Sequence, residues 1–282
     1  MSLRPATDAD RDAVLALGVA EEAAWFGEPK VGADEIGEWI DDEGGLDSGV
    51  VALAADGQVR GFAAPGRHAS VFIADPHASD ALIDELLPWL RERRETVELP
   101  TYAGDTARVA AFERHGLSHA RSSFSLLRPE AAGPVPAAAF PAGIEVASYR
   151  LGDDDEAVHR LIYVDAAWAS VPGHAERGIE DWRRVVRDLR SLFLARRAER
   201  PVGWVAGRVL ENGRGYISTL AVATSERGKG VGRALLLHAL ADLQRGGAGD
   251  LTLGVEARNE KALGLYRSVG LLIEHEWRYF SG

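Results

Sequence analysis

Cysteine is absent from the 282 residues, which excludes disulfides, a thiolate nucleophile and any cysteine-based zinc site. Lysine is scarce, standing only at positions 30, 229 and 261, so nearly all positive charge is carried by arginine. No apolar run approaches the roughly 20 residues needed to cross a bilayer, and the opening "MSLRPATDADRD" is no signal peptide. A cytoplasmic chain with no membrane partner is expected. The formal net charge of −11 argues equally against a general nucleic-acid surface. No HExxH or related spacing accompanies the histidines, so no metal site is expected. Nothing in the sequence signals an oligomeric state.

What is present points to two domains. "RPEAAGPVPAAAFPAG", from Arg128 to Gly143, has no apolar periodicity and reads as a connection, placed at residues 129–142. On each side, 1–128 and 143–282, strand-like and helix-like segments alternate, which predicts an α/β chain with mixed sheets. The halves are also internally similar. "VELPTYAGDTARVAAFERHGL" and "LTLGVEARNEKALGLYRSVGL" align at one offset: Asp105 with Asn259, Phe112 with Tyr266, and Gly116 with Gly270, each 154 residues apart.

The densest chemical signal is "RGKGVGR", Arg227 to Arg233, which follows the strand-like "YISTLAV" and opens an apolar helix pattern. Strand, glycine turn and helix start together form an anion site. Helix-start amides lack internal partners, the helix dipole favours negative charge, and glycine lets the backbone come close. A P-loop is excluded because no GxxxxGK[ST] occurs. A dinucleotide fingerprint starting at Gly228 would need glycine where Arg233 stands.

The set Arg227-Gly228-Lys229-Gly230-Val231-Gly232 fits [RQ]-x-x-G-x-[GA], and "NEKALGLY" from Asn259 follows about thirty residues later. In this order the two motifs resemble the GNAT superfamily of N-acetyltransferases. In layout, an intact second copy behind a decayed first one is similar to the mycothiol synthase group. The resemblance implies acetyl-CoA as acyl donor, with its pyrophosphate on residues 227–233. It also implies that the backbone of Leu220, Ala221 and Val222 holds the pantetheine arm and polarises the thioester.

Asn259 and Tyr266 match the cofactor-contacting asparagine and the proton-donating tyrosine of that family. Each keeps a plainer reading: Asn259 as a helix cap, and Tyr266 as a core aromatic at helical spacing from Leu263. The base is less defined, because positions where relatives carry glutamate hold Tyr216 and Gly254 here. Glu256, two residues on and on the same strand face, is the candidate; Asp165, His174 and Glu211 are weaker ones, and the alternative is loss of the amine proton through ordered water with no dedicated carboxylate. Asp165, Trp168 and His174 would contact the acceptor, a small-molecule amine, while Trp182 reads as packing. The first half's counterpart of the turn, "VFIADPHASDALIDEL", has neither glycine nor a basic residue. The expected function is therefore acetyl transfer to an amine in the second half, with a non-catalytic acyl-CoA sensor as the alternative.

Overall fold

The structure is a computed structural model that describes residues 1–67, 69–77, 79–167, 176–187 and 189–282. The chain divides into two compact units, residues 1–123 with 275–282, and residues 124–274.

In the first unit, β1 (Ser2–Pro5) leads through α1 (Arg11–Phe26) and α2 (Ala33–Asp42) to β2 (Val50–Leu53), β3 (Val59–Ala64) and β4 (Val71–Ala74). These four strands form an antiparallel sheet in chain order. Both faces are covered, and strict alternation sorts the side chains. Val51, Phe62, Ala64, Val71 and Ile73 join Val14 of α1 with Ile36 and Ile40 of α2. Val50, Ala52, Ala63, Phe72 and Ala74 face α3 (Ser79–Arg91) instead. β5 (Glu98–Tyr102) and α4 (Thr106–Arg114) follow, and β6 (Ser118–Arg128) carries the chain into the second unit.

There β7 (Ile144–Ser148), α5 (Asp155–Arg160), α6 (Ile179–Arg187), β8 (Ser191–Arg197), β9 (Arg200–Val209) and β10 (Gly215–Val222) precede α7 (Val231–Arg245), β11 (Leu251–Glu256) and α8 (Glu260–Arg267). The strand order is β11-β10-β9-β8-β7, with β10–β11 parallel and the pairs from β10 to β7 antiparallel. Alternation again sorts the faces. Val205, Ile217, Leu251, Leu253 and Val255 pack with α7 and α8, whereas Leu194, Trp204, Ala206 and Ala221 pack with α5 and α6. Trp182 is buried in the latter core beside Tyr149 and Trp204, the packing role expected of it. The mixed α/β class and the tandem arrangement are as expected.

The unit boundaries differ from the expected 128/129 and 142/143. Residues 129–142 group with the second unit because they are docked along α7. Val135, Ala138 and Phe140 pack on its core, and the Val135 amide donates to Gln244 at 3.0 Å. Residues 275–282 group with the first unit, because Trp277–Ser281 of β12 (Leu272–Ser281) pair antiparallel with β5 and Phe280 joins that unit's core.

α1 carries two adjacent buried carboxylates, Glu21 and Glu22. Burial, helped by repulsion from Glu21, pushes Glu22 up to about 7, against an amide hydrogen bond from Lys30 at 3.2 Å. An acid raised in the folded state contributes stability that is complete below its unfolded value of about 4.5 and lost as pH rises through about 7. Glu22→Gln should therefore match the parent's melting temperature near pH 4.5 and exceed it increasingly towards pH 8, by roughly 2–4 °C per kcal/mol relieved. Melting curves across that range test this; a constant offset would refute it.

Candidate functional site

β10 is the floor of the site. Its ladder to β9 shifts register between Ile217 and Thr219, so Ser218 is bulged, and its hydroxyl donates to the Ala206 carbonyl at 3.2 Å. The parallel ladder to β11 covers only Gly215–Ile217 against Leu251–Leu253. Beyond it β10 runs on to Val222 and β11 to Glu256 with no pairing between them, so the edge carrying Leu220, Ala221 and Val222 is open towards β11.

That edge leads into the glycine turn. Gly228 and Gly230 have φ of +77° and +89°, values at which a side chain is strained. At Gly228 a Cβ would meet nothing within 4 Å. Gly230 is the N-cap of α7, and no side chain caps the helix. The first intrahelical bond there is Ala234 N–H to Gly230 at 3.1 Å, so Val231, Gly232 and Arg233 present their amides outward.

The side chains of the turn differ in disposition. Arg233 is exposed and makes no hydrogen bond or ion pair with the described residues. Lys229 is half exposed and lies 3.3 Å from Glu226, which also accepts from Arg197 at 3.0 Å; this contact with Arg197 holds Glu226 below the usual glutamate range. Arg227 instead turns towards backbone, donating to the Ala166 carbonyl at 2.6 Å and the Val222 carbonyl at 3.3 Å. Glu226, Arg197 and Thr224 carry no motif and were not singled out by sequence. Two of their contacts reach far along the chain, that of Arg197 with Glu226 and that of Thr224 Oγ1, which donates to the Asp165 carbonyl at 2.9 Å.

Asn259 is the N-cap of α8, its side chain accepting from the Ala262 amide at 3.1 Å. Asp105 caps α4 in the same way through the Arg108 amide at 2.9 Å, with closely similar backbone angles. The pairs Phe112–Tyr266 and Gly116–Gly270 also correspond: both aromatics are buried, and both glycines have φ near +80°. Tyr266 is 9 % exposed, and burial, with Tyr216 nearby, pushes its phenol up to about 12. Leu251, Leu253 and Val255 face α7 and α8, so Thr252, Gly254 and Glu256 take the opposite face of β11. Tyr216 pairs with Thr252 on that face, and a Cβ at Gly254 would meet only open space. Glu256 is buried at the end of the strand, and its carbonyl accepts the Asn259 amide at 2.9 Å.

Asp165 closes a single π-helical turn, Leu161–Asp165, that continues α5; its carboxylate lies 3.8 Å from Arg200. Trp168 and His174 lie outside the described residues. Among the described residues there is no cluster of metal-ligating side chains and no helix long and apolar enough to cross a membrane.

With its strand pair that parts beside an uncapped, glycine-led helix, the chain belongs to the GNAT acetyltransferase family. The family profile matches residues 156–271. The mycothiol acetyltransferase of Geodermatophilus obscurus is 31% identical over 259 residues, covering 83% of this chain and 82% of that protein. That of Thermobispora bispora is 33% identical over 174 residues, 58% of this chain; the match spans only 57% of that relative's length. Among solved structures, a GCN5-related N-acetyltransferase from Sphaerobacter thermophilus matches with a TM-score of 0.79 at 24% identity, over 100% of this chain and 95% of that one. A tandem GNAT protein from the clavulanic acid biosynthesis pathway matches with a TM-score of 0.74 at 16% identity, over 100% and 98%.

The Asn259 cap separates its two readings experimentally. Asn259→Asp keeps the capping oxygen, as Asp105 does in the first unit, so the melting temperature should be unchanged, whereas Asn259→Ala should cost about 1 kcal/mol. If Asn259 also faces an anionic cofactor, Asn259→Asp should weaken acetyl-CoA binding about tenfold or more by repulsion while the fold is kept. Unaltered binding would leave Asn259 as a cap alone.

Proposed function

We propose that the second unit moves an acetyl group from acetyl-CoA to the primary amine of a small molecule, by direct attack within a ternary complex. One continuous path carries this reading: the open edge of β10, the positive-φ glycines 228 and 230, and the uncapped start of α7. Acetyl-CoA, when bound, supplies an activated acetyl thioester.

The residues present suit that guest. The amides of Val231, Gly232 and Arg233, with the exposed cations Lys229 and Arg233, complement a pyrophosphate, and Gly228 leaves the approach clear. The backbone of Leu220–Val222 offers hydrogen bonds to an extended arm, and an amide there directed at the reacting carbonyl would contribute about 3–4 kcal/mol.

Tyr266 keeps its proton throughout the neutral range, because its phenol is held near 12. An ordinary thiol titrates near about 8.5, so complete proton transfer from this phenol to a thiolate runs uphill. Its role is to donate a hydrogen bond to the departing sulfur. Glu256 is the carboxylate on the opposite face of β11, beside the space above Gly254, and is the base we assign. Asp165 stands on the amine side. The relatives' name directs the search for the amine to mycothiol-type precursors.

The first unit is assigned a structural role. The Glu21 carboxylate accepts from the amide of Ala74, the last residue of β4, at 3.3 Å, and forms an ion pair with buried Arg108. A side chain of the protein thus occupies the strand end that corresponds to the open edge of β10.

Titration calorimetry with acetyl-CoA, together with free-thiol release across a panel of amines, tests the function. One equivalent should bind per chain, and thiol should appear only with an amine; Gly230→Asp should abolish both. Binding without thiol release for every amine would favour the sensor, and a second equivalent would overturn the structural role of the first unit.

Tyr266→Phe retains the ring and removes the donor. It should lower kcat by about 10²–10³, the loss typical of one preorganised donor, and leave the melting temperature nearly unchanged. Full activity in this variant would make Tyr266 a packing residue only.

A further inference from the structure

Arg227 heads the basic turn, yet its guanidinium is committed to two backbone carbonyls. Nη2 donates to Ala166 at 2.6 Å and Nε to Val222 at 3.3 Å. The two acceptors belong to different parts of the second unit. Val222 ends β10, the strand whose open edge faces β11. Ala166 follows the π turn that extends α5, and its amide bonds back to Leu161 at 2.8 Å. A second tie runs parallel to the first, from Thr224 Oγ1 to the Asp165 carbonyl at 2.9 Å. Carbonyls at a helix end carry the negative pole of the dipole, so a guanidinium there is doubly favoured. π turns within helices are rare and concentrate at functional sites.

We infer that Arg227 is a positioning residue: its planar fork ties the end of the α5 segment, with Asp165, to the end of β10. Phosphate charge is then met by the turn's amides, Lys229 and Arg233. The inference deepens the proposed acetyl transfer and rests on it for the meaning of the two ends, since β10 would hold the thioester and Asp165 the amine. Geometry favours the fork over charge alone. Two nitrogens of one rigid plane reach two separate carbonyls, which the single nitrogen of lysine cannot reproduce. A phosphate contact, by contrast, tolerates lysine.

The clasp makes the turn and the helix end one cooperative piece. A ligand that binds only the ordered turn must therefore also stabilise the helix end, by linkage. Hydrogen exchange at the Ala166 amide reads this directly. In the ligand-free chain, Arg227→Met and Arg227→Lys should both speed exchange at Ala166 about tenfold or more, the worth of a hydrogen bond to a charged group. Saturating acetyl-CoA should slow that exchange in the parent but not in Arg227→Lys, while the Kd for acetyl-CoA stays within about threefold in both variants. Lys229→Met combined with Arg233→Met should show the converse: a Kd raised about tenfold or more with Ala166 exchange unchanged in the ligand-free chain.

Restoration of parent behaviour by Arg227→Lys would overturn the clasp, as would a large loss of affinity in Arg227→Met that lysine repairs. So would unchanged Ala166 exchange in Arg227→Met. Should the parent itself fail to bind acetyl-CoA, the proposed function falls, and the ligand-free exchange rates still decide the clasp. Circular dichroism of each variant establishes that the fold is retained.

Discussion

The architecture of the candidate site depends on one extra residue in β10. Ser218 interrupts the ladder with β9, and a bulge of this kind raises local twist and bends its strand. The parallel partner β11 stays in register only as far as the adjacent pair Ile217–Leu253. Past that point each strand leaves a row of backbone donors and acceptors without a strand partner in the gap. Open strand edges are normally covered, shortened or charged, because bare backbone attracts other strands and is costly to bury dry. An edge left open and led straight into an uncapped helix start is best accounted for by a guest that satisfies both.

The first unit shows the same frame with the gap closed from within. There β4 and β5 lie in separate sheets, and the counterpart of Ala262, again 154 residues away, is Arg108. Its guanidinium is buried and paired with Glu21, and Glu21 takes the Ala74 amide. Trp25 adds a hydrogen bond to Asp105 at 2.9 Å and stacks near the same arginine. Breaking a buried ion pair by removing one partner costs several kcal/mol, whereas the intact pair adds little net stability. The pair is therefore better understood as filling a gap that the fold creates than as a source of stability. The cap residue and the helix-ending glycine persist in both copies because the frame requires them in either case.

Local chemistry was legible in the sequence, and distant chemistry was not. The glycine turn and the caps at Asp105 and Asn259 each depend on residues within a few positions of one another, and the repeat is found by matching two such local patterns 154 residues apart. Pattern alone exposes such features. The role of Arg227 depends on Ala166, 61 residues earlier, and basic residues beside glycines carry the same signature whether they face phosphate or carbonyl. The docking of residues 129–142 was hidden for a related reason. A segment rich in alanine and proline has no period, yet Val135, Ala138 and Phe140 suffice to hold it on α7. The allegiance of the last strand was likewise hidden, because register with β5 is set by the pairing of Trp277–Ser281 rather than by any local motif. Glu256 and Gly254 share one face by simple alternation, which the sequence did predict; the pairing that brings Tyr216 to that face, and the space above Gly254, depend on the fold.

The proposal that an acidic chain takes a polyanionic guest poses an electrostatic question, which the composition of the turn addresses locally. The overall charge of −11 is distributed over a surface much larger than the Debye length, about 8 Å at physiological ionic strength. Most of that charge is screened from residues 227–233. Beside the turn stand Arg197, Lys229 and Arg233, the first two paired with the carboxylate of Glu226. Glu226 lowers the local potential, but it also fixes Arg197 and Lys229 beside the turn before any ligand arrives. Long cationic side chains lose rotamer freedom when they order on a ligand, a cost of about 0.5–1.5 kcal/mol each. A buried carboxylate that orders two of them in advance moves that cost from binding into folding. Arg227 extends the same logic to the backbone, since a guanidinium anchored on two carbonyls holds the turn in shape while Arg233 and the helix amides remain open to the guest.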